Sequence, residues 1–185
     1  MESIVISTLV PGCFTGRLQP IHLGHIELLQ HVLDRHEHLI VGITNPDPTS
    51  RLEHADHPTR HLEASNPFTF YERSMMVHAA LAAASVPRQR YAIVPFPLHD
   101  PARVEHYVPL DAVQYVRVFS RWEEQKVSTL AEYGYDVQVV AGDVASRISA
   151  TEIRTALRDG QPWKHLVAGT VADLIARYTA LRPLG

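Results

Sequence analysis

The sequence predicts an α/β protein, a parallel sheet covered by helices on both faces. Short β-branched runs alternate with helical patterns along the chain, an order that implies parallel strands joined by crossover helices. The 185 residues are 45% hydrophobic, enough for one core in a single domain over residues 1–185. Neither an internal repeat nor a low-complexity tail interrupts that order.

Taken in order, Cys13-Phe14-Thr15 closes a first strand, with Ile4 to Val10 either its beginning or an added edge segment. Residues 1–10 therefore read as an N-terminal extension or edge piece. Pro20 stops the strand, and Leu23 to Leu33 forms a helix with Ile26, Leu29, Val32 and Leu33 on one face. Leu39 to Ile43 is a second strand. Residues 45–67 are rich in Pro, Asp, His, Thr and Ser without periodicity, a long loop or lid. Thr69 and Glu72 have capping-box spacing for a helix running through Ala84. Tyr91 to Pro95 and Val116 to Phe119 are the third and fourth strands. A helix over Trp122 to Tyr133 leads to a fifth strand, Val137 to Ala141. Helices near Thr151 to Leu157 and Val167 to Tyr178 complete the chain.

A net charge of −3, with acidic and basic residues intermixed, implies no polyanion-binding surface, so nucleic acid is not the expected partner. The lone cysteine, Cys13, cannot form an internal disulfide and reads as a small buried residue. The N-terminus lacks signal-peptide features, and no apolar run approaches the roughly 20 residues that span a membrane. A cytoplasmic protein is expected.

The stretch "GRLQPIHLGHIELL", Gly16 to Leu29, lies at a strand-to-helix turn, where ligands of parallel sheets bind. His22 and His25 admit three readings. They are two ligands of a metal site, which the loop residues His54, His57 and His61 would have to complete. They are ordinary polar residues of a first helical turn. Or they belong to a phosphate site, in which free N–H groups at the helix start and Arg17 attract anions and Gly24 allows close approach. A second group, "ISATEIRTAL" from Ile148 to Leu157, favours phosphate. Ser149 and Glu152 have capping-box spacing, and Ser149, Thr151 and Arg154 form another anion-binding helix start. The dinucleotide fingerprint G-x-G-x-x-G and the P-loop pattern are both missing.

His22-Leu-Gly24-His25 and Ile148-Ser149-Ala-Thr151-Glu-Ile153-Arg154 resemble the two motifs of the HxGH nucleotidyltransferase superfamily. Within it, "GRLQPIHLGH", "NPFTFYERSMM", "EYGYDV" and "WKHLV" are similar to archaeal-type nicotinamide-mononucleotide (NMN) adenylyltransferases. The resemblance implies a Rossmann-like fold, Mg²⁺, and attack by a substrate phosphate on the α-phosphate of a nucleoside triphosphate. By the same resemblance His22 and His25 hold the triphosphate and stabilise departing pyrophosphate, and Arg17 bridges the reacting phosphates. Phe14, Thr15, Gly16, Gly24, Ser149, Thr151 and Arg154 are the expected nucleotide contacts. Such a transfer needs positioning and charge neutralisation more than a covalent nucleophile.

Departures fall at the acceptor end. The Asn and Trp with which archaeal-type enzymes frame the nicotinamide ring have no counterpart in His99 to Tyr107, and Phe119-Ser120-Arg121-Trp122 replaces a Ser-Gly-Asn-like turn. Relatives that activate small phosphonates with CTP need cations more than a ring slot, and Arg51, Arg60, His61 and Arg103 are available. Asn66, Arg60, Arg103 and Trp122 are therefore the expected acceptor contacts. The overall resemblance supports ATP with NMN. CTP with a small phosphonate or phosphate is the alternative, and a nucleotide sensor is the non-enzymatic one. Relatives commonly assemble, so a homo-oligomer is an option.

Overall fold

Residues 10–53, 59 and 61–182 are described by a computed structural model. Its sheet comprises β1 (Gly12–Gly16), β2 (Leu39–Thr44), β3 (Tyr91–Phe96), β4 (Val113–Val118) and β5 (Val137–Ala141). All pairings are parallel, in the order β3-β2-β1-β4-β5. The chain winds outward from β1 through β2 to β3, then crosses to the other side of β1 for β4 and β5. This is the expected Rossmann-like fold, with its switch point between β1 and β4.

Helices α1 (Leu23–Leu33), α2 (Phe70–Ala83), α5 (Ala150–Arg158) and α6 (Gly169–Leu181) share one core with Phe14, Val41 and Ile43. Alternate residues Cys13 and Ile40 face the other way. There they pack with Phe96, the short helix α3 (Pro101–Val104) and α4 (Arg121–Glu132). Among the described residues no helix is long and apolar enough to cross a membrane.

Several boundaries differ from the sequence reading. The fourth strand begins at Val113, three residues early, because Val113, Gln114 and Tyr115 pair with Gly12, Cys13 and Phe14. Pro at the first helical position starts α3, which was not expected. The segment 45–67 contains 3-10 turns at Pro48–Ser50 and Glu63–Ser65, the former capped by Asp47 accepting from the Thr49 and Ser50 amides. Residues 54–58 and 60 of the expected lid, and residues 1–9 of the expected extension, lie outside the described residues. The Thr69–Glu72 capping box forms as expected.

Candidate active site

A cavity of about 700 Å³ opens at the carboxyl ends of β1 and β4, where the strand order reverses. Phe14, Thr15, Gly16, Arg17, Gly24 and both motif histidines line one wall, and Ser149 and Thr151 line another. The two sequence motifs therefore meet in one space.

His22 occupies the N-cap of α1, with an extended backbone (φ −139°), and its ring stacks on His25 with centroids 3.6 Å apart. The His22 amide donates to His25 Nδ1 at 3.3 Å. Since Nδ1 accepts, the neutral His25 ring carries its proton on Nε2, which is left as a donor. Burial holds the His22 imidazole down to about 3, assisted by the positive Arg147. His25 is also held well below the ordinary imidazole range, first by burial, then by His22, Lys126 and Arg117. Both rings are thus neutral donors near pH 7. His22 Nδ1 is buried without a protein partner. A Cβ on Gly24 would lie 3.4 Å from that nitrogen and 3.9 Å from Ile148 Cβ, in the gap between the motifs.

The turn carrying Arg17 is braced by a residue that sequence reasoning missed. Arg73, on α2, is 2% exposed and donates to the carbonyls of Arg17, Thr44 and Asn45 at 2.8 Å and of Thr69 at 3.2 Å. Three of these carbonyls precede left-handed residues or belong to one. Leu18 (φ 52°) follows Arg17 and Asn45 (φ 49°) follows Thr44, a conformation uncommon outside glycine. Arg73 thereby clamps two strained strand ends with one guanidinium. Burial lowers its pKa to about 10, with Arg51 adding repulsion, so it remains charged at neutral pH. Gln19 completes the brace, its amide donating to the Phe68 carbonyl at 2.9 Å and accepting from the Phe68 amide at 3.0 Å.

At the second motif Ser149 caps α5 by accepting from the Thr151 amide at 3.2 Å, a simple cap in place of the expected box with Glu152. Arg154 is 8% exposed and does not line the cavity. It donates to the Gln19 carbonyl at 2.8 Å and to Thr151 Oγ1 at 3.0 Å, behind the wall that Thr151 presents. Arg17 does line the cavity, with Nη1 donating to the Ser65 carbonyl at 3.3 Å. Three cations not singled out from sequence also line it. Arg117 pairs with Glu27 at 2.9 Å, Arg147 pairs with Glu123 at 3.2 Å, and Lys126 donates to the Thr15 carbonyl. Only Arg147 carried a legible signal, lying next to the "ISATEIR" motif.

The expected acceptor residues are scattered. Trp122 is buried on the cavity wall. Arg103 faces Asp100 at 3.8 Å and lines a separate recess of about 210 Å³ with Ser50 and His99. Asn66 is buried, with Nδ2 donating to the Leu62 carbonyl at 2.8 Å, and lines neither space. Arg60, His54 and His57 lie outside the described residues. Burial raises the Cys13 thiol to about 12, consistent with a packed rather than a reactive cysteine.

No group of three His, Cys, Asp or Glu side chains able to hold a metal ion occurs among the described residues. The acidic residues of the cavity are occupied, Glu27 and Glu123 by the arginines above and Asp143 by the Ala145 amide. A divalent ion fits this donor set as one carried in on substrate phosphates, not as a resident of a protein cage.

The chain matches the cytidylyltransferase-like family over residues 13–169. It is 42% identical over 164 residues to the phosphonoformate cytidylyltransferase of Streptomyces viridochromogenes, spanning 89% of each chain. It is 33% identical over 165 residues to the nicotinamide-nucleotide adenylyltransferase of Thermococcus kodakarensis, spanning 89% of this chain and 81% of that one. A solved bifunctional NMN adenylyltransferase/ADP ribose pyrophosphatase from Francisella tularensis shares the fold. Its TM-score is 0.68 at 17% identity, over 94% of this chain and 51% of that one. The family match runs from β1 to the first residue of α6 and so contains both motif-bearing helix starts; the chain belongs to the cytidylyltransferase-like family and is a nucleotidyltransferase.

Proposed function

We propose that the protein transfers CMP from CTP to a small phosphonate- or phosphate-bearing acid and releases pyrophosphate. The observation that carries this reading is the 42% identity, across nearly the whole of both chains, to a phosphonoformate cytidylyltransferase. It accords with a segment after β3, His99 to Tyr107, that holds neither Asn nor Trp to frame a nicotinamide ring.

An acceptor oxygen attacks the α-phosphorus. The bond from that phosphorus to the bridging oxygen breaks, and its electron pair leaves with pyrophosphate. The attacking oxygen is already anionic, so no general base is needed. His25 donates from Nε2, and His22, Ser149 and Thr151 supply further donors to the triphosphate as charge moves onto pyrophosphate. Arg17 and Arg147 neutralise the reacting groups. Arg154 is a positioning residue that acts through Gln19 and Thr151. Mg²⁺ bound to the triphosphate would shield its charge. The absence of a membrane-crossing helix among the described residues and a single buried cysteine support a cytoplasmic setting.

A second reading, ATP with NMN, is favoured by the 33% identity to an archaeal adenylyltransferase. Pyrophosphate release separates the two when CTP and ATP are crossed against phosphonoformate, other small phosphonates and NMN, with Mg²⁺ and with EDTA. The proposal expects metal-dependent release with CTP and a phosphonate. Release only with ATP and NMN overturns it, and nucleotide binding without any release returns the sensor. EDTA stops turnover without moving the Tm of the free protein, because the described residues hold no group of side chains able to bind a metal ion.

A further inference from the structure

Two hydroxyls on the cavity wall take no part in the mechanism above, although the sequence resemblance implies Thr15 as a nucleotide contact. Thr15, in β1, and Thr44, the last residue of β2, are 1% and 2% exposed, and both line the cavity. The Oγ1 atom of each is buried without a hydrogen-bond partner. A buried hydroxyl without a partner costs about 1–3 kcal/mol relative to a satisfied one. Two together on one wall are costly unless something else meets them.

Sheet register places them side by side. Thr15 pairs with Gly42, and a Cβ on Gly42 would lie 2.8 Å from Thr15 Cγ2, so Thr15 leans over that glycine. Thr44 is two residues beyond Gly42 and shares its face. Leu98 and Trp122 wall the same end of the cavity and belong to the same apolar face. Thr15, Thr44, Leu98 and Trp122 thus lie on one face of the sheet and line the same cavity as the two motifs.

We propose that Thr15 and Thr44 are specificity-determining residues, a two-hydroxyl subsite for the second polar group of the acceptor. On the phosphonate reading, on which this inference rests for its ligand, that group is a carboxylate close to phosphorus. A hydroxyl donates to carboxylate oxygens. Sites built to hydrogen-bond a substrate group discriminate strongly against analogues that lack it.

The test replaces each hydroxyl by a methyl of similar shape, Thr15→Val and Thr44→Val, with Thr44→Ser as the conservative control. With CTP and phosphonoformate, each valine variant raises the acceptor KM about tenfold or more, and Thr44→Val leaves the CTP KM within about twofold. Thr44→Ser retains most of the wild-type value. Methylphosphonate, which lacks the carboxylate, responds little to either valine. A second measurement is independent of turnover. Removing an unpartnered hydroxyl leaves the Tm of the free protein unchanged or higher, while the Tm increase on adding phosphonoformate to the CTP-bound protein shrinks. A lower Tm in the free valine variants, or an acceptor KM within twofold of wild type, overturns the subsite. If wild type uses only NMN and ATP, the phosphonate reading and its carboxylate fall. The same KM split measured with NMN then upholds or overturns the hydroxyl subsite itself.

Discussion

Replacing His22 by asparagine should make the protein less sensitive to acid. The buried His22 ring has its pKa held at about 3, against 6.5 for an exposed imidazole. Protons therefore bind the unfolded chain first. This contribution to stability is complete above the unfolded value of 6.5 and is lost as pH falls toward 3. Between pH 7 and pH 4.5 the loss from this ring alone is about 2–3 kcal/mol. For a chain of this length that corresponds to about 5–10 °C in Tm. Asparagine has no proton to take up, and every other titrating group is common to both proteins. Melts at the two pH values should therefore show wild type losing about 2–3 kcal/mol more than His22→Asn. Equal losses in both proteins would refute the claim that the fold holds this ring neutral. Because His25 is depressed partly by His22, the variant also relaxes its neighbour, which enlarges the expected difference.

Two further substitutions address the site and its brace. His25→Ala removes the Nε2 donor and should lower kcat by about 10²–10³ with the circular dichroism spectrum retained; near-normal turnover by a folded variant contradicts the assigned role. Arg73→Met strips donors from four carbonyls and should cost about 3 kcal/mol or more in urea unfolding, with Arg73→Lys recovering only part because one ammonium cannot span both strand ends. A midpoint shift worth less than about 1 kcal/mol shows that the clamp is dispensable.

The parts of the site that could be read from sequence are those in which chemistry and local structure coincide. The stretch from Gly16 to His25 announces itself because a glycine, an arginine, a proline and two histidines surround one helix start. The Ser149 cap does so because a hydroxyl cap and an arginine lie within a turn and a half. Strand β4 was clipped because Val113-Gln114-Tyr115 has a polar centre. That polar residue, Gln114, is wholly buried beside β1, which only the sheet order explains. Arg73 has the local appearance of a solvated helix charge, and besides the carbonyl of its own helix cap it grips carbonyls at two strand ends distant in sequence. Arg117 and Lys126 were silent for a similar reason, being brought to the cavity by β4 and α4 with no motif around them. Arg154 shows the converse. Its type and spacing were legible, but its direction was not, and it turns toward Gln19 instead of the cavity.

That last hydrogen bond joins residues 135 positions apart in the chain. All five strands are complete by Ala141, so the sheet can assemble before α5 exists. The turn holding Arg17 and Gln19 would at that stage have Arg73 and Phe68 to shape it, but not Arg154. On the proposed placement of the triphosphate, nucleotide recognition is therefore among the last properties the chain acquires during synthesis. A truncated product would keep the scaffold and lack half of the cradle, so incomplete chains would not compete with finished enzyme for the triphosphate.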